Sequence, residues 1–180
     1  MVRRVVTGHD ETGKSIFVVD GPPPKAKKFK HTPGFVLNPV WMTAAEVAKA
    51  GSNEPDMTVS ATSLHAEPGG SALLIITFPP DSVMARADFD FSVAWPEHLA
   101  EVAGIAERFE PDAPGMHRTD TLDYAIVLSG EIWLELDDGA TRHLVENDVV
   151  IQQGTRHAWR NKTDSPTTLA FCMLGRRPRP

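Results

Sequence analysis

Short apolar runs alternate with turn residues along most of the chain, and this pattern predicts a protein built mainly from β-strands. Residues 3–7 and 15–20 are rich in β-branched side chains and flank a polar, glycine-containing stretch, which predicts a β-hairpin. Residues 72–78 form a continuous apolar run that ends at a proline pair, which predicts a buried strand.

The strand signals are densest in the second half of the chain. After residues 124–128, Ile132 and Leu134 alternate with charged and aromatic neighbours, and Asp138-Gly139 is a tight hairpin signal. Further short strands are predicted over 142–145, 149–152, 157–160 and 168–174. Many short strands at this spacing are typical of a β-sandwich or barrel.

Two stretches have helical character and are predicted to lie outside the sheets. Thr43 and Glu46 form a capping box that predicts a short helix over residues 44–50. Residues 96–109 begin with a proline suited to a first helical turn and carry apolar residues at helical spacing.

Composition narrows the classes of function. The 180 residues carry a net charge of −6, which argues against a nucleic-acid-binding protein. Cys172 is the single cysteine, so neither an internal disulfide nor a cysteine-based zinc site can form. The apolar runs are too short to span a bilayer, and the N-terminus lacks the apolar segment of a signal peptide, so we expect a cytoplasmic protein without a membrane partner.

The stretch Gly8–Ser15 matches the phosphate-loop pattern G-x-x-x-x-G-K-S. Such a loop needs a helix after it, because the N-terminus of that helix supplies the N–H donors for phosphate. Here a β-rich segment and a proline run follow instead. We therefore expect no bound nucleotide.

Two histidines on strand-like sequence, His117 and His157, are the leading candidates for chemistry. Each belongs to a spaced set of residues: His117, Thr119, Asp123 and Gly130 in the first set, and Gln152, Gly154, His157 and Asn161 in the second. These spacings resemble the two motifs of the cupin superfamily, H-x-H-x-x-x-E-x-x-x-x-x-x-G and P-x-G-x-x-H-x-x-x-N.

The resemblance implies a single jelly-roll β-barrel of the type 2 cupin class, with N-terminal strands that extend it and two short peripheral helices. The barrel core is expected over residues 111–175, an N-terminal arm over 1–110, and a loose tail over 176–180. Because cupins commonly pair through N-terminal strands, the resemblance also implies a homodimer.

In metal-binding cupins, the two histidines and the glutamate of the first motif hold a divalent ion together with the histidine of the second motif. This chain has Thr119 and Asp123 at two of those positions, and Gln152 in place of the proline. His117, Asp123 and His157 remain as ligands for iron, manganese, nickel or zinc, and two histidines with one carboxylate match non-haem iron sites.

Two other interpretations stay open. In a metal-free pocket, His117 and His157 would serve as acid and base, since imidazoles exchange protons near neutral pH. Alternatively, both are satisfied polar residues in a core. Thr119, Trp159, Phe171 and Met173 are predicted to line a pocket, because strand alternation places them on inward faces.

The predicted function is that of a small-molecule enzyme with its active site inside the barrel. It would be a metal-dependent oxygenase, or a lyase or isomerase, acting on a small carbonyl or phenolic compound. The alternative is a cupin that binds or senses a small molecule without catalysis.

Overall fold

A computed structural model describes residues 2–46 and 52–177 of the chain. The strands are β1 Arg4–His9, β2 Ser15–Gly21, β3 Lys27–Lys28, β4 Val36–Thr43, β5 Ser71–Phe78, β6 Thr121–Ser129, β7 Glu131–Glu135, β8 Thr141–Val145, β9 Val149–Gln152, β10 Ala158–Arg160 and β11 Thr167–Gly175. The helix α1 spans Phe91–Glu101, and short 3-10 turns lie at Asp81–Val83, Ala106–Arg108 and Asp137–Gly139.

The strands form two antiparallel sheets that enclose the core, and a separate hairpin. The larger sheet has the order β3-β4-β5-β11-β6-β9, and the smaller sheet has the order β10-β7-β8. Both contribute to one hydrophobic core, with Ile132 from the smaller sheet packed among Val127, Leu169 and Phe171 from the larger one. The predicted fold class, a mainly β jelly-roll barrel, is confirmed.

Strand alternation determines which side chains reach the interior. Along β6 and β11 every second residue is buried, because successive side chains point to opposite faces of a sheet. Asp123 and Met173 are register partners on the inward faces of these strands. The next inward-facing pair, two residues along each strand, is Ala125 and Phe171. The site residues predicted on these strands therefore face the space between the sheets.

β1 and β2 form the predicted hairpin, a two-stranded sheet outside the barrel. The Gly8–Ser15 stretch is the end of β1, the turn and the first residue of β2. No helix follows it, so the backbone N–H array of a phosphate loop is not formed there.

The helix predicted over residues 96–109 begins earlier and ends earlier. α1 starts after Asp90, whose side chain accepts a hydrogen bond from Ser92 N, so Pro96 lies inside the helix and not in its first turn. The helix stops before Gly104, which has φ +84°, and only a 3-10 turn follows. The other predicted helix, over 44–50, falls mostly on residues outside the described ranges. No helix in the described parts of the chain is long and apolar enough to cross a membrane.

Candidate active site

His117 and His157 meet inside the barrel. Each backbone N–H donates to the other's carbonyl, at 2.9 Å and 3.0 Å, so the two residues form an antiparallel bridge beside β10. Their ring centroids are 4.3 Å apart with an interplanar angle of 46°. Both are buried, with 8% and 3% of their surface exposed. The two imidazoles, 40 positions apart in the sequence, are thus in direct contact.

Backbone carbonyls fix the orientation of both rings. His117 Nδ1 lies 3.1 Å from Gly115 O, and His157 Nδ1 lies 2.9 Å from Thr155 O. A carbonyl oxygen can only accept a hydrogen bond, so each Nδ1 carries the proton and donates it. In the neutral rings, each Nε2 therefore presents a lone pair.

Both Nε2 atoms remain reachable. Neither forms a hydrogen bond with any part of the chain that the structure describes. Within those same ranges, fully buried side-chain nitrogens or oxygens without a partner occur only at Arg4, His9 and Asp123. The two Nε2 atoms therefore have no hydrogen-bond partner and are not completely buried, although the rings as a whole are.

Burial holds both imidazoles in the neutral form. It lowers the pKa of His117, partly offset by the hydrogen bond to Gly115. Burial also lowers the pKa of His157, and the neighbouring His117 lowers it further, to about 4. Near neutral pH both rings are uncharged bases.

Ion pairs and a hydrogen bond fasten the segment before His117 to the residues on either side of His157. Arg156 donates two hydrogen bonds to the Glu110 carboxylate from Nε and Nη2, the shorter at 2.6 Å, and its Nη1 lies 2.9 Å from Asp137. Arg160 Nη1 donates to Pro114 O at 2.7 Å. Sequence analysis missed these residues, because their partners are distant in the chain and no local pattern marks them.

Comparison with known proteins supports the assignment of this fold. No protein-family model matches the chain. Phomopsin biosynthesis cluster protein C' of Diaporthe leptostromiformis is 30% identical over 97% of this chain and 79% of that protein. The cupin-domain-containing oxidoreductase srdB of Neurospora crassa is 31% identical over 61% of this chain and 60% of its own, and virC of Hypocrea virens, of the same description, is 44% identical over 52 residues.

The chain belongs to the cupin superfamily. Its second cupin motif has a structural role in addition to supplying His157. Asn161 donates to Phe78 O and Ser165 O and accepts from Thr163 N, so it joins the segment after β10 to the end of β5. Gln152, which replaces the motif proline, donates to Thr155 O at 3.1 Å and so closes the turn before His157.

The first motif departs further from a metal-binding cupin. Thr119 accepts a 2.9 Å hydrogen bond from Thr121 and offers no nitrogen ligand. Asp123 is 5% exposed, and its Oδ1 has no partner. Burial raises the pKa of Asp123 to about 6. Burial therefore makes the ionised form, which a metal ligand requires, less favourable for Asp123 than for an ordinary carboxylate.

The donor geometry does not match the predicted metal centre. Across residues 2–46 and 52–177, no three histidine, cysteine, aspartate or glutamate side chains lie together as a metal site requires. His117 and His157 supply two nitrogen donors, and Asp123 does not complete the set. Catalytic metal sites usually have three protein ligands, so the residues as placed do not fit this group.

The predicted pocket residues of this cupin differ in how closely they approach the two histidines. The Trp159 ring contacts His157 at 5.9 Å and Phe171 at 5.5 Å between centroids. Met173 is buried beside Asp123. Phe109, which sequence analysis placed in a helix, stacks on His117 at 4.4 Å.

Two cavities of the cupin lie away from this site. One of about 440 Å³ is bounded by residues 24–27 and 61–64, together with Pro39, Ala100, Glu101 and Ala103. The other, of about 350 Å³, is bounded by residues near Lys30 and Asp88. Neither includes a predicted site residue.

Proposed function

We propose that this cupin is a small-molecule enzyme in which His117 and His157 form a metal-independent acid–base pair. It would catalyse proton transfer on a small carbonyl or phenolic compound, as an isomerase or lyase does. The observation that carries the proposal is the contact between two buried neutral imidazoles, each with Nδ1 bound to a carbonyl and Nε2 free.

The pair is suited to moving one proton. An Nε2 lone pair can accept a proton from a C–H or O–H group of the substrate. A charge on either ring then disfavours a charge on the other, because the rings are in contact and buried. The low pKa of His157 makes its protonated ring a ready proton donor. The pair can therefore remove a proton at one substrate position and return a proton at another, and the proton held on Nε2 in between can exchange with water.

A second candidate is a metal-dependent oxidoreductase. Two relatives, srdB and virC, are cupin-domain-containing oxidoreductases and favour it. The carbonyl-bound Nδ1 atoms favour it too, since histidine ligands of metals usually donate their other ring N–H in this way. It ranks second because, in the part of the chain that the structure describes, two protein donors come together and not three.

The test is solvent deuterium exchange, followed by NMR, into a panel of small ketones, aldehydes and phenols. We expect the wild-type chain to exceed the buffer rate for at least one compound, and His117→Gln and His157→Gln each to lose about a hundredfold. His143→Gln is the matched control, because His143 stacks on Trp133 and is exposed on another part of the surface.

Each outcome separates the candidates. Exchange that survives metal chelation and is lost in both histidine variants supports the acid–base proposal. Exchange or oxidation that chelation abolishes and a first-row metal restores supports the oxidoreductase. Binding of a panel compound with no reaction under either condition supports a binding cupin and contradicts both.

A further inference from the structure

The outer face of the larger sheet carries no charge across four neighbouring strands, β5, β11, β6 and β9. Along these strands the inward positions face the core, so the residues between them point outward. Every outward position in the four strands holds an apolar, small or uncharged polar residue. An antiparallel sheet with a solvated face normally alternates apolar with polar residues, so this face resembles one that is covered.

Five large apolar side chains on this face are nevertheless exposed. They are 37% to 58% exposed and belong to the last two strands of the sheet: Tyr124, Ile126 and Leu128 of β6, and Val149 and Ile151 of β9. Ile126 is the register partner of Val149, and Tyr124 is the register partner of Ile151, so these side chains adjoin one another. We call these five residues the sheet patch. Contiguous exposed patches of large apolar residues mark interaction surfaces.

The β1–β2 hairpin exposes a second apolar surface. All of residues 15–20 in β2 are exposed, and Phe17 is 77% exposed. The hairpin patch is defined by the exposed apolar residues Val5, Ile16, Phe17, Val18 and Val19. Within the described ranges β2 pairs with β1 alone, and a two-stranded hairpin without a packed face is only marginally stable in water. A covering surface would therefore stabilise it.

The hairpin is attached to the same outer face, at the side opposite the sheet patch. Val2 N donates to Asn38 Oδ1 at 3.3 Å, and Arg4 Nη1 donates to Val40 O at 2.9 Å, so the start of the hairpin is bound to β4. Asn38 is the register partner of Ile75, an outward residue of β5. Since β4 and β9 are separated by β5, β11 and β6, the two patches lie at opposite sides of one face.

This arrangement is complementary to itself. When two copies face each other across a twofold axis parallel to the strands, β4 of one copy lies opposite β9 of the other. The hairpin patch of each copy then lies over the sheet patch of its partner, and the same contact is formed twice. Ten large apolar side chains that are about half exposed leave on the order of 800 Å² per chain, the area that each partner contributes to a standard interface.

The charges of the hairpin permit such a contact. Arg3 and Asp20, at the open end of the hairpin, pair with each other at 2.6 Å, and Arg4 pairs with Asp56 at 2.6 Å. The acidic and basic residues of its strands therefore bring no unpaired charge onto the apolar sheet, where a lone charge would be costly. A partner with a charged surface would find no complementary group on the outward positions of the sheet.

We propose that the hairpin patch and the sheet patch form the interface of a twofold dimer, in which the hairpin of each copy covers the outer sheet face of the other. The occupant of the exposed apolar face is thus a second copy of this chain. The proposal assigns both surfaces and the symmetry axis of the expected homodimer. It does not depend on the chemistry of His117 and His157.

The test is sedimentation equilibrium of the full chain at micromolar concentration, with one charge introduced into each patch. Phe17→Glu and Ile126→Lys each place a charge in an apolar contact, and we expect each to weaken dimerisation at least about thirtyfold. Phe91→Glu is the matched control, because Phe91 is a 64% exposed phenylalanine at the start of α1, outside both patches. We expect this control to dimerise like the wild type.

A mixture of the two patch variants tests the reciprocal arrangement. In a dimer of one Phe17→Glu chain and one Ile126→Lys chain, one contact combines both substitutions, with opposite charges, and the other contact is unaltered. We therefore expect the mixture to form a heterodimer that neither variant can match alone. Native mass spectrometry measures this, because the two variants differ in mass. A mixture no more dimeric than its separate components contradicts the arrangement.

The remaining outcomes also decide the question. A wild-type chain that is monomeric at micromolar concentration overturns the proposal, including a monomer that adsorbs to phosphatidylcholine vesicles, since a lipid surface would then be the occupant. A dimer that survives both patch substitutions overturns it too. Circular dichroism checks that each variant is folded, and Ile151→Lys, at an exposed position of β9, replaces Ile126→Lys if that variant does not fold.

Discussion

Asp123 and His157 are both buried and titrate abnormally, with opposite consequences for stability. Between about pH 4 and 6, the folded chain keeps an Asp123 proton that the unfolded chain has lost, so Asp123 makes stability fall as the pH rises. Between about pH 4 and 6.5, the folded chain leaves His157 neutral while the unfolded chain protonates it, so His157 makes stability rise with pH.

Asp123 and His157 change the free energy of unfolding by similar amounts. A pKa of about 6 in place of 3.8 corresponds to about 3 kcal/mol at Asp123. A pKa of about 4 in place of 6.5 corresponds to about 3 kcal/mol at His157. Together these groups should nearly cancel in the wild-type chain, and His117, whose pKa is lowered too, tilts the balance towards greater stability at higher pH.

Replacing Asp123 removes the contribution that makes stability fall as the pH rises, and leaves the opposite contribution of His157. We expect Asp123→Asn to be more stable than the wild type by about 3 kcal/mol near pH 8, with the difference disappearing near pH 4. The stability of the variant should fall steeply in acid, because the histidines still resist protonation. His157→Gln should show the opposite slope and lose stability as the pH rises.

Urea unfolding at several pH values, followed by fluorescence of the four tryptophans, measures these differences. A gain of about 3 kcal/mol near pH 8 corresponds to a midpoint shift of about 1 M or more in urea. Asp112→Asn, at an exposed position, is the control and should change little. A loss of stability in Asp123→Asn near pH 8, or a difference independent of pH, would show that the carboxylate has a stabilising partner in solution and would refute the reasoning.

Three further substitutions test the framework around the site by thermal or urea unfolding. Asn161→Ala should cost about 3 kcal/mol, because it removes the amide that donates to the carbonyls of Phe78 and Ser165 from a position only 1% exposed; a loss below about 1 kcal/mol would contradict the bridging role. Gly175→Ala should be more damaging than Gly13→Ala, since a Cβ at residue 175 would lie 1.8 Å from Glu67 O whereas none of the surroundings lies within 4 Å at residue 13; equal melting temperatures would contradict it. Arg156→Ala should lower the melting temperature less than Asn161→Ala does, because its ion pairs are partly exposed and screened by solvent, and a loss that high salt does not reduce would argue against an ionic origin.

The alternation of apolar and polar residues predicted the strands well, because successive side chains of a barrel strand point to opposite faces of the sheet. β6, β7, β11 and the first half of β5 bury every second residue, and apolar or small residues fill most of those positions. The spacing of the two cupin motifs likewise predicted the meeting of His117 with His157. The start of α1 was missed, although Asp90 and Ser92 carry an N-cap signal, because Pro96 was taken as the first turn.

The features of the site that the sequence does not predict depend on contacts between residues far apart in the chain. The chain bends at Asp120 between His117 and β6, and this bend sets where Asp123 lies relative to the histidines. Its backbone N–H donates to His65 Nε2, and its side chain accepts from Arg108, so two remote segments hold it. The stacking of Phe109 on His117 is similar, since no periodicity in the sequence relates these two residues. Motif spacing can place ligands on strands but cannot fix such distances.

The central claim is that His117 and His157 are a contacting pair of neutral imidazoles with free Nε2 atoms. The most direct measurement is ¹⁵N NMR of the histidine rings as a function of pH, with His117→Gln and His157→Gln used for assignment. The account predicts that both rings carry the proton on Nδ1 and that His157 stays neutral to below about pH 5. A proton on Nε2 of either ring at neutral pH, or titration of His157 near its ordinary pKa of 6.5, would contradict it.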